Sequence, residues 1–162
     1  MPRLRTSLMI LAVGALMVAC APVGSSASAT DAASGGASDG PSGSATTVNV
    51  TLQEFSVIPE SATAPAGHVT FHVTNEGPED VHEFVIFKTD LEPDSLPTAA
   101  DGSVDEAAEG LKLIDEIEDV PVGESQDVTA TLDAGSYVLV CNIVESDAVH
   151  YTNGMRTGFT VE

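Results

Sequence analysis

The sequence predicts an all-β fold, a Greek-key β-sandwich or barrel of seven to eight strands with one short helix in an insertion. Two observations carry this prediction. Short apolar runs, several of them alternating with polar residues, recur along residues 46–162. They are separated by turn residues such as Pro65-Ala66-Gly67 and Asp133-Ala134-Gly135. Many short strands with turns between them are typical of antiparallel sandwiches and barrels.

The first half of this region contains three predicted strands. In the first two, apolar side chains share one face and alternate with polar ones; they are Val48, Val50 and Leu52, and then Val69, Phe71 and Val73. The third, at residues 81–88, is nearly continuously apolar and is interrupted by His82 and Glu83. Between the first and second strands, Glu54-Phe55 indicates a change of phase or a bulge.

The second half begins with the least strand-like part of the region. Residues 89–110 are rich in Pro, Asp and Ala, and we interpret them as an insertion or long connection. Within it, Ser103-Val104-Asp105-Glu106 has the form of a capping box and predicts the short helix. Four more strands are predicted, at residues 111–117, 128–132, 136–142 and 156–161.

Residues 1–20 are predicted to be an export signal. Arg3 and Arg5 precede an apolar run at residues 8–18, which is too short for a comfortable membrane span. The run ends in Met17-Val18-Ala19-Cys20, which resembles the lipobox of bacterial lipoproteins. That resemblance implies acylation of Cys20 as the mature N-terminus. Plain secretion with cleavage near this point is the alternative.

The composition also predicts how the remaining chain is organised. Residues 21–45 consist mostly of Ser, Ala, Gly and Thr, which is typical of a flexible tether, and residues 46–162 form the folded domain. After Cys20 there are 25 acidic side chains against 3 basic ones, a difference of 22 negative charges. Nucleic acid and anionic membrane surfaces are therefore poor partners, whereas cationic protein surfaces are favoured. The simpler interpretation is that the charge keeps the protein soluble, and a general adaptation to salt accounts for it equally well.

Three soft or borderline donor side chains lie close together near the C-terminus. Cys141 is the only cysteine after Cys20, Met155 is the only methionine after it, and His150 lies between them. A thiolate, an imidazole and a thioether suit copper that must exist as both Cu(I) and Cu(II). With Cys20 acylated, Cys141 has no disulfide partner in the chain, so an intermolecular bond, reactivity or a metal would account for it.

The four histidines differ in how well they could complete this donor set. His68 and His72 share the polar face of their strand, which predicts solvated positions. His82 is in phase with the apolar Phe84 and Ile86. An imidazole that faces the interior needs a hydrogen-bond partner or a metal, and the pattern alone leaves both open.

Three segments, in order, resemble the copper-binding elements of the cupredoxins, small copper proteins with a type 1 site on a Greek-key β-sandwich. Val81-His82-Glu83-Phe84 is similar to the strand that supplies the first histidine, and Gly135-Ser136-Tyr137-Val138-Leu139-Val140-Cys141 to the strand that ends in the thiolate. His150-Tyr151-Thr152-Asn153-Gly154-Met155 is similar to the segment with the second histidine and the Gly-Met pair. The resemblance covers residues 46–162 and implies one copper ion bound by His82, Cys141, His150 and Met155.

The resemblance implies a one-electron carrier between redox proteins, and not an enzyme, because four protein ligands leave no open position for a substrate. It also implies that the edge of His150 lies near the surface as an exit route for the electron. With the lipobox, it predicts a lipid anchor on the outer face of the bacterial cytoplasmic membrane, or a periplasmic or extracellular protein without acylation. Copper delivery or buffering without redox turnover is one alternative, and a metal-free interaction module is another.

Two features depart from the common cupredoxin pattern. Eight residues, 142–149, separate the cysteine from the histidine, whereas many small cupredoxins have two to four. This length is similar to the type 1 site of copper nitrite reductases, but this single domain lacks the histidine-bearing repeat that their catalytic copper needs. Glu83 also stands where many cupredoxins have an Asn that braces the copper-binding loops, and Glu145 and Asp147 lie in the long gap, where a partner would dock.

Overall fold

The computed structural model describes residues 45–146 and 148–162, and in these residues two β-sheets enclose a common apolar core. The elements are β1 (Thr46–Gln53), β2 (Ser56–Pro59), β3 (Thr63–Ala64), β4 (Gly67–Asn75), β5 (His82–Lys88), β6 (Lys112–Val120), β7 (Ser125–Leu132), β8 (Gly135–Val140), α1 (His150–Asn153) and β9 (Arg156–Val161). The predicted all-β sandwich is confirmed. The described residues contain nine strands, whereas seven to eight were predicted. The difference arises from β2 and β3, which are too short to show a pattern in the sequence.

The two sheets have the strand orders β2-β1-β4-β7 and β3-β9-β8-β5-β6. Their pairing is mixed, whereas the sequence predicted antiparallel sheets. β1 runs parallel to β4, with Thr46 opposite Val69 and Leu52 opposite Asn75, and β3 runs parallel to β9. The physical reason is that the chain leaves the first sheet after β2, passes through β3 in the second sheet, and returns as β4 beside β1 in the same direction.

The core lies between the sheets and is formed by the predicted apolar faces. From the first sheet it takes the inward side chains of β1, β4 and β7, which are Val48, Val50, Leu52, Val69, Phe71, Val73, Val128, Ala130 and Leu132. Phe71 lies at its centre, with ring centroids 5.4 Å from Phe84 and 5.3 Å from Phe159 on the opposite sheet. Alternation along these strands was therefore a reliable guide to the buried face.

The connection between β5 and β6 covers the outer face of the second sheet. Its Leu96 and Val104 are buried in a second apolar cluster, together with Val85, Phe87, Val138, Val140 and Tyr151. The helix predicted at Ser103-Val104-Asp105-Glu106 is wrong, because Val104 instead pairs with Thr98 in an isolated β-bridge. The backbone amide of Val104 also donates to Oδ1 of Asn142 at 2.6 Å. The described residues contain a single short helix, but it is α1, beyond β8.

The predicted signal at residues 1–20, Cys20 and the tether up to residue 44 lie outside the described residues. In the described part of the chain, no helix has the length and apolar character needed to cross a membrane.

Candidate metal centre

His82 and Cys141 lie at the same edge of the second sheet. His82 is the first residue of β5, and Cys141 immediately follows the last residue of β8. Because these strands are antiparallel neighbours, with Val85 opposite Val140, the start of one lies beside the end of the other. Both side chains are fully buried. Strand pairing therefore accounts for the approach of two residues that are 59 positions apart.

The gap after Cys141 folds back on itself. Val144 and Val149 form an isolated antiparallel bridge, and the amide of Glu145 donates to the carbonyl of Ala148 at 2.7 Å. The amide of His150 then donates to the carbonyl of Ile143 at 3.0 Å. This small turn accommodates the eight residues between Cys141 and His150 and brings His150 back beside Cys141. Asp147 lies outside the described residues.

Met155 is fixed beside the same residues by its backbone. Its amide donates to the carbonyl of His150, and its carbonyl accepts the amide of Cys141, each at 3.0 Å. The preceding Gly154 has φ of 126°, and a Cβ there would lie 3.0 Å from the carbonyl oxygen of Phe55. Only glycine can adopt this positive φ and avoid this close contact without strain. Met155 is fully buried, so the Gly-Met pair ends α1 and leaves the methionine in the interior.

Three ligand atoms converge into a small triangle. Nδ1 of His82 lies 3.2 Å from Nδ1 of His150, and Sγ of Cys141 lies 3.3 Å from Nδ1 of His150 and 4.0 Å from Nδ1 of His82. A point equidistant from the three atoms is about 2 Å from each, close to the bonds of about 2.0–2.3 Å that zinc makes to imidazole nitrogen and thiolate sulfur. The residues therefore fit one transition-metal ion.

The protonation states also suit a metal. Burial lowers the pKa of His82, and the neighbouring His150 lowers it further, while Glu54 and Asp80 act in the opposite direction. A neutral imidazole has a free lone pair for a cation. Burial raises the pKa of the Cys141 thiol to about 12. In the metal-free protein this thiol is protonated at neutral pH, and a bound cation would displace its proton.

His150, whose edge was expected near the surface, has a fully buried side chain. The ring of Phe55 packs edge-on against it with the centroids 5.2 Å apart. Oxygens of Asp80 and Glu145 also lie within 4.8 Å of a ring nitrogen of His150 and of each other. The ring of His150 therefore lies beneath Phe55 and close to the exposed Glu145.

Glu83, the second residue of β5, contacts Cys141 and the residue that follows it. Its amide donates to Sγ of Cys141 at 3.2 Å, and its Oε2 accepts the amide of Asn142 at 3.2 Å. Burial raises the pKa of Glu83 to about 7, with the nearby Glu106 and Glu116 adding to the rise and the Asn142 amide opposing it. Glu83 therefore links the start of β5 to Cys141 and Asn142.

Asn75 and Glu54 hold the turn that leads into β5. The side-chain amide of Asn75 donates through Nδ2 to the carbonyls of Asp80 and Val120 at 2.8 and 2.9 Å, and its Oδ1 accepts the backbone amide of Gly77 at 2.8 Å. Oε1 of Glu54 lies 3.6 Å from Nε2 of His82. The role of Glu54 was not predicted from the sequence, in which the break of alternation after Leu52 was the only signal.

The other two histidines lie where the pattern predicted, on the outer face of β4. His68 is exposed, and Nδ1 of His72 lies 2.6 Å from Oδ1 of the exposed Asp127. Neither belongs to a cluster of metal-ligating side chains among the described residues. They are surface residues and not part of the centre.

Comparison with known proteins supports the fold. No protein-family model matches the sequence, and no curated protein matches it. Among solved structures, auracyanin from the photosynthetic bacterium Roseiflexus castenholzii matches with a TM-score of 0.52 and 23% identity, over 74% of this chain and 99% of that one. Rusticyanin from Thiobacillus ferrooxidans matches with a TM-score of 0.51 and 20% identity, over 74% of this chain and 79% of that one. These similarities show that the chain has the cupredoxin fold.

Proposed function

We propose that this cupredoxin-fold protein binds one copper ion through His82, Cys141, His150 and Met155 and carries single electrons between redox proteins. The observation that carries the proposal is the buried triangle of one sulfur and two nitrogen atoms. The backbone of Met155 is hydrogen-bonded to the backbones of Cys141 and His150, which contribute two of these atoms. A His₂Cys set with a weak axial methionine is typical of copper electron-transfer sites. A bound copper would supply a Cu(I)/Cu(II) couple at this point of the fold.

Rigidity and closure of the site favour a carrier over a catalyst. All four proposed ligands are fully buried, and backbone hydrogen bonds link Cys141, His150 and Met155. Such a site changes little between oxidation states, and it gives a substrate no direct access to the metal. Full burial also disfavours the alternative of copper delivery, since a donor must present its ligands to the acceptor.

Two similar structures support a metal and redox role. Rusticyanin, which matches at a TM-score of 0.51 and 21% identity in a second structure, is described as a copper protein. The auracyanin structure is of a dithionite-reduced protein. We extend copper binding and redox activity from these proteins to this chain because its donor atoms fit the same chemistry.

The proposed location follows from the N-terminal sequence. With residues 1–20 as an export signal and Cys20 acylated, residues 21–45 would tether the domain to the outer face of the bacterial cytoplasmic membrane. The partners would be redox proteins with cationic docking surfaces, because the domain is strongly acidic. Without acylation the same protein would be periplasmic or extracellular.

The carrier and delivery roles differ in how firmly the reduced protein keeps its metal. We expect copper-loaded protein to give a reversible one-electron wave in cyclic voltammetry and to keep its copper when reduced in the presence of a competing Cu(I) chelator. The measurement is the copper content after repeated reduction and oxidation cycles. Rapid loss of copper to the chelator in the first reduction would instead favour delivery.

A further inference from the structure

The buried ring of His82 has one nitrogen in the proposed centre and one outside it. Its Nδ1 faces His150 and Cys141, whereas Nε2 has no hydrogen-bond partner among the described residues. A buried donor without a partner costs about 1–3 kcal/mol, so native proteins rarely leave one. The neighbouring group with matching chemistry is the carboxylate of Glu54, whose Oε1 lies 3.6 Å from Nε2.

Glu54 is itself held in a defined place. Its Oε1 accepts the amides of Asp80 at 2.7 Å and Glu79 at 3.3 Å. Gly77 provides the room, because a Cβ at that position would lie 2.5 Å from Oε1. The side chain of Glu54 is 12% exposed. The turn before β5 therefore fixes the carboxylate against the ring of the first residue of that strand.

The second oxygen of this carboxylate also lacks a partner. Oε2 of Glu54 is buried without a hydrogen bond to any described residue, as is Nε2 of His82. The 3.6 Å between Nε2 of His82 and Oε1 of Glu54 is longer than a hydrogen bond. The terminal torsion angle of a glutamate side chain, however, varies over a broad range at little cost. A small rotation would satisfy the ring donor with a carboxylate oxygen.

We propose that Glu54 is the positioning residue of the centre, with its carboxylate accepting Nε2–H of His82 so that Nδ1 presents its lone pair to the metal. The metal part of this inference rests on the proposed function, whereas the choice of tautomer holds in the metal-free protein as well. Carboxylate partners of metal-binding histidines fix the tautomer and ring orientation and raise the basicity of the ligand. A negative charge behind the ring also favours Cu(II) over Cu(I), and so lowers the reduction potential.

The test compares Glu54→Gln with Glu79→Gln. Both substitutions remove one negative charge from the same part of the molecule, but the side chain of Glu79 is exposed and only its backbone amide contacts Glu54. In metal-free protein labelled with ¹⁵N at histidine, we expect wild type to show His82 as the Nε2–H tautomer with a downfield, exchange-protected proton. That proton resonance should move upfield in Glu54→Gln, because an amide oxygen is a weaker acceptor than a carboxylate, and stay in place in Glu79→Gln.

A second variant, Glu54→Ala, removes the acceptor altogether and should give a mixture of the two His82 tautomers. If this variant does not fold, Glu54→Gln alone decides the outcome. An Nε2–H resonance that is the same in wild type, Glu54→Gln and Glu79→Gln would overturn the proposal, as would wild-type His82 found as the Nδ1–H tautomer.

Loading with copper gives an independent readout. The reduction potential of Glu54→Gln should rise above those of wild type and Glu79→Gln, and equal potentials in the two variants would contradict the assignment. These measurements distinguish a failure of the proposed copper site from a failure of the proposed role of Glu54. A protein that binds no copper but shows the expected resonance shifts refutes the copper site alone, whereas copper binding with unchanged resonances refutes the role of Glu54 alone.

Discussion

Cys141→Ser is expected to abolish the intense visible absorption that wild-type protein develops with Cu(II). That absorption arises from charge transfer from a thiolate to copper, and serine offers no sulfur donor at this position. The substitution is nearly isosteric and lies in a fully buried site, so the sandwich should still form. Absorption spectra of both proteins after addition of one equivalent of Cu(II), with circular dichroism to verify the fold, make the measurement.

The chain contains its own matched control for this substitution. Cys20→Ser makes the same chemical change in the N-terminal segment, outside the folded domain predicted from the sequence. It should leave the visible band unchanged while removing the proposed acylation site. A band that survives Cys141→Ser, or one that is lost in Cys20→Ser, would contradict the assignment of Cys141 as the thiolate ligand.

Phe71→Ala is expected to lower the free energy of unfolding by about 3–5 kcal/mol, a large part of the about 5–15 kcal/mol typical of a domain. Phe71 is fully buried and touches aromatic rings of the opposite sheet, so its removal leaves a cavity at the centre of the sandwich. Denaturant unfolding of the metal-free protein measures the change.

The control for the core prediction is Ile58→Ala, which truncates an apolar side chain that is 49% exposed. It should change the free energy of unfolding by no more than about 0.5 kcal/mol. A loss below about 1 kcal/mol in Phe71→Ala, or equal losses in the two variants, would show that Phe71 does not hold the two sheets together.

The strands that the sequence predicted well are those with a long, regular pattern. Alternation from Val48 to Leu52 and from Val69 to Val73 marked the buried faces of β1 and β4, and β9 has the predicted bounds, residues 156–161. β2 and β3 have only four and two residues, too few for a period to show. The parallel pairing of β1 with β4 depends on where the intervening chain travels, which no local pattern encodes.

The misplaced helix shows how tertiary contacts override a local signal. Ser103 and Glu106 satisfy the capping-box pattern, but Val104 between them is buried against the second sheet. Asn142 accepts the amide of Val104 and donates to its carbonyl and to the side chain of Glu106. These contacts occupy groups that a helix start would have used, and they attach the connection to the residue that follows Cys141.

The cluster of His82, Cys141 and His150 was predictable because it depends on residue types, whereas its surroundings were not. Cys141, His150 and Met155 stand out by scarcity and spacing, and His82 by its phase in an apolar strand. The burial of His150 depends on Phe55, which is distant in sequence. The approach of Glu54 to His82 likewise requires the turn before β5 to fold around the glutamate that follows β1.

The measurement that tests the central claim most directly is a titration of metal-free protein with Cu(II), followed by visible absorption and by electron paramagnetic resonance. A single copper ion held by two histidines, a cysteine thiolate and a methionine would give an intense charge-transfer band that grows linearly to one equivalent of copper and then stops, with one copper signal throughout. A titration without this band, or one in which copper binds only weakly to the many surface carboxylates, would contradict the copper centre at His82, Cys141, His150 and Met155.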